Sequence, residues 1–210
     1  MTITWAGHYT IKLYNSSSTI VINPYSPTLG LPPFRSKADF VFLTNPSDPT
    51  MSHLNGIQGD YTIINTPGEY SFENLTAYGI GWFRDGVNQE QSIFRLIFDN
   101  LTVLYLGSLD RKLNQTELQH IEQADTDVLI VPIGGSTSID TNAAIDLIST
   151  IEPNIVIPIN FSIPKLNQSV EAVSKFAREM GVSPSTNTNK VAISANKIDR
   201  ENLATIILNP

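Results

Sequence analysis

The fold of this sequence follows from two stretches, Val128-Leu-Ile-Val-Pro-Ile-Gly-Gly135 and Ile155-Val-Ile-Pro-Ile-Asn160. Each begins with a short run of wholly apolar residues, which is typical of a strand that is covered on both faces. Helical patterns alternate with these runs. The second half of the chain therefore predicts strands and helices in alternation, with helices packed against a sheet.

Three helices are predicted from their capping patterns. They are expected over residues 115–123, 141–151 and 168–180. Asn114 and Glu117 form a capping-box pattern before the first helix. Asp140 is the expected N-cap of the second. The third should end at Gly181, because glycine readily adopts the positive φ found at helix C-termini.

The first half of the chain is a series of short strands separated by turn residues. The expected strands are Thr2–Ala6, Tyr9–Tyr14, Thr19–Asn23, Asp39–Thr44, Tyr61–Asn65, Leu75–Trp82, Ser92–Phe98 and Leu101–Leu106. Two more are expected at Val191–Ala195 and Ala204–Leu208. Pro67-Gly68 is interpreted as a turn with glycine at the positive-φ position. No linker or change of composition interrupts the chain, so we expect one α/β domain over residues 1–210, with two β-sheets flanked by helices.

Composition excludes several classes of function. Cysteine is absent, so disulfides, thiolate zinc sites and cysteine nucleophiles are excluded. The net charge is −7 and the basic residues are scattered, so we expect no nucleic-acid partner. No apolar run approaches the ~20 residues of a membrane span, and the N-terminus does not have the pattern of a signal peptide. The expected location is therefore the cytoplasm, with no membrane association.

Five segments resemble one family. They are Ile3-Thr-Trp-Ala-Gly-His8, Ile22-Asn-Pro24, Pro67-Gly-Glu-Tyr70, Leu104-Tyr-Leu-Gly-Ser108, and Val131-Pro-Ile-Gly-Gly135 with Ile157-Pro-Ile-Asn160. In order and spacing, they resemble the branch of the metallo-β-lactamase superfamily that includes the ascorbate-6-phosphate lactonases. The resemblance implies an αββα sandwich of two mixed sheets. It also implies a site on the loops at one edge, where one or two metal ions activate water.

The resemblance also implies which positions would hold the metal ligands, and other residue types occupy them. The matched positions are Asn45, Ser47 and Thr50 in the first loop, Arg84 before Asp85, Ser108 in the Leu-Gly-Ser turn, and Asn160. The family aspartate of the first loop falls on Pro49 by strict counting, and a shift of one residue would place it on Asp48. His8 stands where the family also carries histidine.

The residue inventory argues against a metal independently of that alignment. A two-metal site of this class uses about five imidazoles together with carboxylates. The whole chain has 3 histidines and no cysteine. Arg84 at a ligand position would add a permanent cation that repels a divalent ion. We therefore expect no bound metal, no other cofactor and no catalytic residue.

Several alternatives remain for these residues. His8 is either a hydrogen-bonded turn histidine, which we favour, or a residue that lines a pocket. Arg84 either pairs with a carboxylate, Asp85 or Asp48, in the space that the metals left, or it binds a small anion. Gly134-Gly135 is interpreted as a structural turn.

Three functions follow from these expectations. The first is a pseudoenzyme that binds a small anionic ligand or a protein. The second is a structural subunit of an assembly, with a homo-oligomer as one form. The alternative is a metal-dependent hydrolase of the lactonase-like branch with a reduced or relocated site.

Overall fold

The computed structural model of the chain describes residues 1–83, 90–184 and 188–210. The strands in these ranges are β1 (Thr2–Gly7), β2 (Thr10–Tyr14), β3 (Thr19–Ile22), β4 (Ser36–Lys37), β5 (Phe40–Phe42), β6 (Ile57–Gln58), β7 (Thr62–Ile64), β8 (Gly68–Phe72), β9 (Leu75–Phe83), β10 (Glu90–Phe98), β11 (Leu101–Tyr105), β12 (Val128–Pro132), β13 (Ile155–Ile159), β14 (Lys190–Ala192) and β15 (Ala204–Thr205). The helices are α1 (Gln115–Ile121), α2 (Thr141–Ile151) and α3 (Val173–Glu179). Short 3-10 turns lie at Pro27–Leu29, Leu54–Gly56 and Ala195–Lys197.

Two mixed sheets contain most of these strands. The first sheet has the order β14-β1-β2-β3-β5-β7, and the second has the order β15-β13-β12-β11-β10-β9-β8. Parallel pairing joins β3, β5 and β7 in the first sheet and β11, β12, β13 and β15 in the second. The predicted pair of mixed sheets flanked by helices is confirmed.

The core lies between the two sheets. In β1, residues alternate between partly exposed and buried, as expected for a strand with one face on the core. The Phe42 ring of the first sheet meets the Phe94 ring of the second edge to face, with centroids 5.0 Å apart. Every residue of β12 and of β13 is buried, as their apolar sequences predict.

Helix capping follows the sequence closely. The Asn114 side chain accepts from Glu117 N at 2.9 Å, and the Glu117 carboxylate accepts from Asn114 N at 2.8 Å. Asp140 accepts from Ala143 N at 2.9 Å, and α2 ends at Ile151 as predicted. No helix among the described residues is long and apolar enough to cross a bilayer.

The third helix is shorter than predicted. It was expected over 168–180, but α3 spans only Val173–Glu179. Glu171 N donates to Gly134 O at 2.9 Å, and Glu171 O accepts from Ser162 N at 2.9 Å. These tertiary hydrogen bonds use backbone groups of the segment before α3, so helical propensity there is overridden. Gly181 follows with φ 68°, as its position predicts.

Strand boundaries also differ from the prediction. Gly68 has the expected positive φ of 143°, but it opens strand β8 instead of forming a turn, since it pairs with Gly79 of β9. Strand β5 covers only Phe40–Phe42 of the expected 39–44, and β15 is limited to Ala204–Thr205. The pairing partner, which the sequence does not display, sets where each ladder ends.

Candidate functional site

Several strands end together at one edge of the sandwich, which we call the loop edge. The turn after β1 contributes His8, while Asn23 follows β3 and Thr44 follows β5. Asn160 follows β13 in the other sheet, and its N–H donates to His8 O at 3.2 Å. Carboxyl ends of strands in both sheets therefore meet here, the place where open α/β sheets commonly bind ligands.

Asn23 connects the two sheets at this edge. Its side chain is fully buried and its φ is 49°. The Oδ1 atom accepts from Thr44 N at 2.8 Å, and Nδ2 donates to Thr44 Oγ1 at 2.8 Å and to the Tyr105 hydroxyl at 3.0 Å. Tyr105 in turn donates to Tyr9 O at 2.5 Å. Burial raises the pKa of Tyr105 well above its ordinary value, so the phenol stays protonated and keeps this bond.

Asn160 continues the same set of hydrogen bonds. It is fully buried with φ 55°, and Nδ2 donates to the Tyr9 hydroxyl at 2.7 Å and to Ser138 Oγ at 3.3 Å. The Tyr9 hydroxyl donates to Thr137 O at 3.3 Å. We call the hydrogen-bonded side chains of Asn23, Thr44, Tyr105, Tyr9, Asn160 and Ser138 the edge network. It holds the strand ends together with neutral groups.

The Leu-Gly-Ser turn packs against the end of β5. Gly107 has φ 62°, and a Cβ on it would lie 2.8 Å from Thr44 Oγ1, so only glycine fits this approach. The next residue, Ser108, donates from Oγ to Gln91 Oε1 at 2.8 Å, and both side chains are buried. Asn45 is also buried. The structure thus brings Asn45 and Ser108, two predicted site residues, to the same edge.

The first loop is organised by its own aspartate. Asp48 Oδ1 accepts from Thr50 N at 2.8 Å and from Thr50 Oγ1 at 2.7 Å. Thr50 O accepts from Ser26 N at 2.9 Å, which fixes the loop to the chain after β3. Ser47 is exposed. Asp48 Oδ1 therefore closes a local turn with Thr50, and the exposed Ser47 is not part of the buried edge.

His8 is buried at the centre of this edge. It has 1% exposure and φ 50°, and neither ring nitrogen has a hydrogen-bond partner among the described residues. Burial lowers the pKa of His8 to about 4, although the Asp48 carboxylate and the Gln168 amide both favour the protonated ring. Gln168 is near enough to act on the ring, but its oxygen lacks a hydrogen-bond partner. The ring is therefore neutral at pH 7.

His8 lies in a turn, as the sequence predicts. The Gln168 amide is the side chain near enough to serve as a partner of the ring, and whether it hydrogen-bonds the imidazole stays a prediction. Asn160 Oδ1 and Gln168 Oε1 are likewise buried without partners. A neutral imidazole offers one donor and one acceptor, and the two amide oxygens offer acceptors. These three side chains therefore keep buried polar atoms without a hydrogen-bond partner among the described residues.

Two predicted site residues cannot be placed. Arg84 and Asp85 lie outside the described residues. The expectation that Arg84 pairs with a carboxylate or binds an anion therefore stays a prediction.

The groups at the loop edge do not fit the zinc site of the family. The described residues contain no group of three or more His, Cys, Asp or Glu side chains that could hold a metal ion. Asn160 and Ser108 present neutral amide and hydroxyl groups; Asn160 Nδ2 donates to the Tyr9 hydroxyl and Ser108 Oγ donates to Gln91, while Asn160 Oδ1 has no partner among the described residues. Zinc prefers imidazole and thiolate, and His8 supplies one imidazole only.

Sequence reasoning missed several residues of this edge. Asn23 lies in a quoted family segment, and an asparagine directly after an apolar strand is a recognisable signal for a positive φ. Gly134 was interpreted as a structural turn, and a Cβ there would lie 2.3 Å from Asn160 O. Tyr9, Gln91 and Gln168 carry no such signal, because only the packed structure reveals their partners.

Comparison with known proteins identifies the family. The model of the beta-lactamase superfamily domain matches residues 2–160. The chain therefore belongs to the metallo-β-lactamase superfamily, and its two sheets with flanking helices are the αββα fold of that family. All five family-like segments of the sequence lie within the matched residues. Among curated proteins, none matches the chain.

Solved structures share the fold at low sequence identity. A protein of Thermotoga maritima, assigned as a Zn-dependent hydrolase of the metallo-β-lactamase superfamily, has TM-score 0.79 and 22% identity over 99% of this chain and 98% of its own. A metallo hydrolase of the archaeon Ignicoccus hospitalis has TM-score 0.65 and 17% identity over 92% of this chain and 99% of its own. An isothiocyanate hydrolase from Delia radicum gut bacteria has TM-score 0.69 and 13% identity over 93% of this chain and all of its own, 100%.

Proposed function

We propose that this chain is a metal-free pseudoenzyme of the superfamily, a binding protein instead of a hydrolase. The observation that carries the proposal is the edge network. Asn160 and Thr44, at the ends of β13 and β5, donate and accept hydrogen bonds within the protein. A metal site needs deprotonated or neutral-imidazole ligands that are directed at one point, whereas Thr44 is hydrogen bonded to Asn23 and Asn160 Nδ2 to the Tyr9 hydroxyl, all of them neutral groups.

The lactonase-like branch is the ancestry that we infer. The support is the resemblance of the five sequence segments, including the Leu-Gly-Ser turn in place of the family's Leu-Gly-Asp turn. Replacement of that aspartate removes a carboxylate, and the Ser108 hydroxyl donates a hydrogen bond to Gln91 Oε1. The ancestry explains why the fold is retained while the chemistry of the ligand positions has changed.

The first prediction concerns metal content. Protein that is purified and dialysed should contain less than about 0.1 zinc per chain, because its imidazole and thiolate groups are too few for a zinc site. Elemental analysis by mass spectrometry measures this. EDTA should leave the melting temperature unchanged, since folding is not linked to metal binding. About one zinc per chain that is lost in Asp48→Asn or His53→Asn would contradict the proposal.

An activity assay tests the alternative of a metal-dependent hydrolase. A panel of lactones is incubated with the protein after addition of zinc or manganese. We expect no hydrolysis above the rate of the protein-free control. Turnover that depends on added metal, and that disappears in Asp48→Asn but not in Asp199→Asn, an exposed position after the last 3-10 turn, would support the hydrolase instead.

The proposal includes expectations that remain to be measured. They are a single domain over residues 1–210, a cytoplasmic location, and a small anionic ligand or protein as partner. The protein partner could be a second copy of this chain. Sedimentation of the purified chain distinguishes a monomer of 23.1 kDa from an oligomer.

A further inference from the structure

A groove lies on the outer face of the second sheet, away from the edge network. It is bounded by β8, β9 and β10 on one side and by α1 on the other, and its volume is about 870 Å³. This volume is within the range of ligand-binding clefts in proteins. The side chains used below are Tyr78, Ile80, Trp82, Phe83, Arg95 and Glu69, all of which line it.

Arg95 is a buried cation in this groove, and none of the described residues supplies a counterion for it. Its exposure is 6%, and no carboxylate of the described residues lies within salt-bridge distance. Nη1 donates to His120 O at a long 3.4 Å, while Nε has no partner. The guanidinium carbon lies 4.8 Å from the centre of the Tyr78 ring. Since a guanidinium stays charged at all ordinary pH values, burial without an anion is costly.

The acidic residues of the groove do not neutralise the charge of Arg95. The Glu117 carboxylate is occupied by Arg111, at 2.6 and 2.9 Å, and by Asn114 N at 2.8 Å. Glu69 lies across from Tyr78 in the β8–β9 ladder, and it is exposed. It makes no described ion pair with Arg95. The positive charge is therefore available to a ligand.

A second unpartnered donor belongs to a residue that lines the same groove. Trp82 is 1% exposed, and its indole Nε1 has no hydrogen-bond partner among the described residues. An indole N–H can only donate. Arg95 of β10 pairs with Tyr78 of β9, and paired residues share a face of the sheet. Trp82 lies four residues after Tyr78 on β9, and even spacings along a strand also share a face, so Trp82 and Arg95 belong to the same outer face. Both unpartnered groups require an acceptor.

The apolar lining of the groove indicates the shape and polarity of the remainder of the ligand. Tyr78 and Ile80 share the face of β9 with Trp82, and Phe83 at the groove is 49% exposed. Aromatic and aliphatic surfaces favour a flat apolar body. We propose that this groove binds a small organic oxyanion, a carboxylate or phosphate ester on a planar apolar body, whose oxygens accept from Arg95 and whose apolar body lies along the lining that includes Trp82. The site is separate from the loop edge and does not depend on the proposed function.

Calorimetric titration with benzoate, phenyl phosphate and inorganic phosphate tests this site. We expect saturable binding of one or both organic anions, with affinity at least tenfold above that of inorganic phosphate. Arg95→Met should reduce the affinity at least tenfold, and Arg95→Lys should retain part of it, since lysine keeps the charge but not the fork. The matched control is Arg178→Met, an exposed arginine of α3 whose side chain pairs with Glu179.

Two readouts keep the test informative if one variant folds poorly. Arg95→Met is expected to melt at or above the wild-type temperature, because it removes an uncompensated buried charge. Trp82→Phe should abolish the change in tryptophan fluorescence on binding and lower affinity several-fold. Absence of saturable binding up to about 10 mM, equal affinity for inorganic phosphate and phenyl phosphate, or undiminished binding by both Arg95→Met and Trp82→Phe would overturn the proposal.

Discussion

Asn23→Ala is expected to lower the free energy of unfolding by about 3–5 kcal/mol, which would be among the largest effects of any single substitution in this chain. Alanine leaves Thr44 N, a buried donor, without its acceptor, and it removes the two bonds of Nδ2. Alanine also tolerates the positive φ of 49° less well than asparagine, whose short polar side chain can hydrogen-bond locally. Urea unfolding followed by circular dichroism measures the change.

A matched control separates backbone strain from buried hydrogen bonds. Asn100 has φ 59° like Asn23, but it is exposed in the β10–β11 hairpin. Asn100→Ala should therefore cost only about 1 kcal/mol, from the left-handed backbone alone. Asn23→Gly should lie between the two, since glycine relieves the strain but supplies no hydrogen bond. Equal losses in Asn23→Ala and Asn100→Ala would refute a special role for the edge network.

The second large effect is a loss of stability in mild acid that is due to His8. Its folded pKa is about 4, below its ordinary value of 6.5. The unfolded state therefore binds the proton first, and the contribution of His8 is complete above pH 6.5 and lost as the pH falls towards 4. The shift corresponds to about 3 kcal/mol of unfolding free energy over that window.

Stability measured against pH isolates this contribution. His8→Asn removes the titration, and asparagine tolerates the positive φ at this position. The variant should show a weaker decline in unfolding free energy between pH 6.5 and 4 than the wild type. His120→Asn, at an exposed position of α1, should decline like the wild type. If His8→Asn and His120→Asn follow identical curves, the buried neutral imidazole is not the cause.

Local sequence patterns predicted the fold well where local chemistry decides it. The capping box at Asn114 and the apolar strands β12 and β13 were confirmed. Helix caps and fully buried strands depend on residues that are neighbours in the sequence, so the sequence pattern displays them. The third helix was predicted too long. Glu171 is held by bonds to Gly134 and Ser162, and partners so distant in sequence leave no local pattern.

The positions of four candidate site residues follow from the strands before them, but their roles do not. His8, Ser108 and Asn160, which belong to the matched segments, and Asn45 of the first loop each follow a strand that ends at the loop edge. Their partners were not predicted, and neither was the unpartnered ring of His8. Hydrogen-bond satisfaction depends on side-chain geometry across two sheets, which spacing along the chain does not encode.

The pairing of β14 with β1 has a consequence for the way the chain reaches its structure. Strand β1 (Thr2–Gly7) obtains one of its two neighbours from Lys190–Ala192, almost the full length of the chain away. During synthesis from the N-terminus, β1 is therefore the edge strand of the first sheet until β14 is available to pair with it, and closing so long a loop is slow. The exposed ladder of β1 is a template for pairing with other chains. A nascent or truncated chain that lacks β14 is for this reason the form most prone to aggregate.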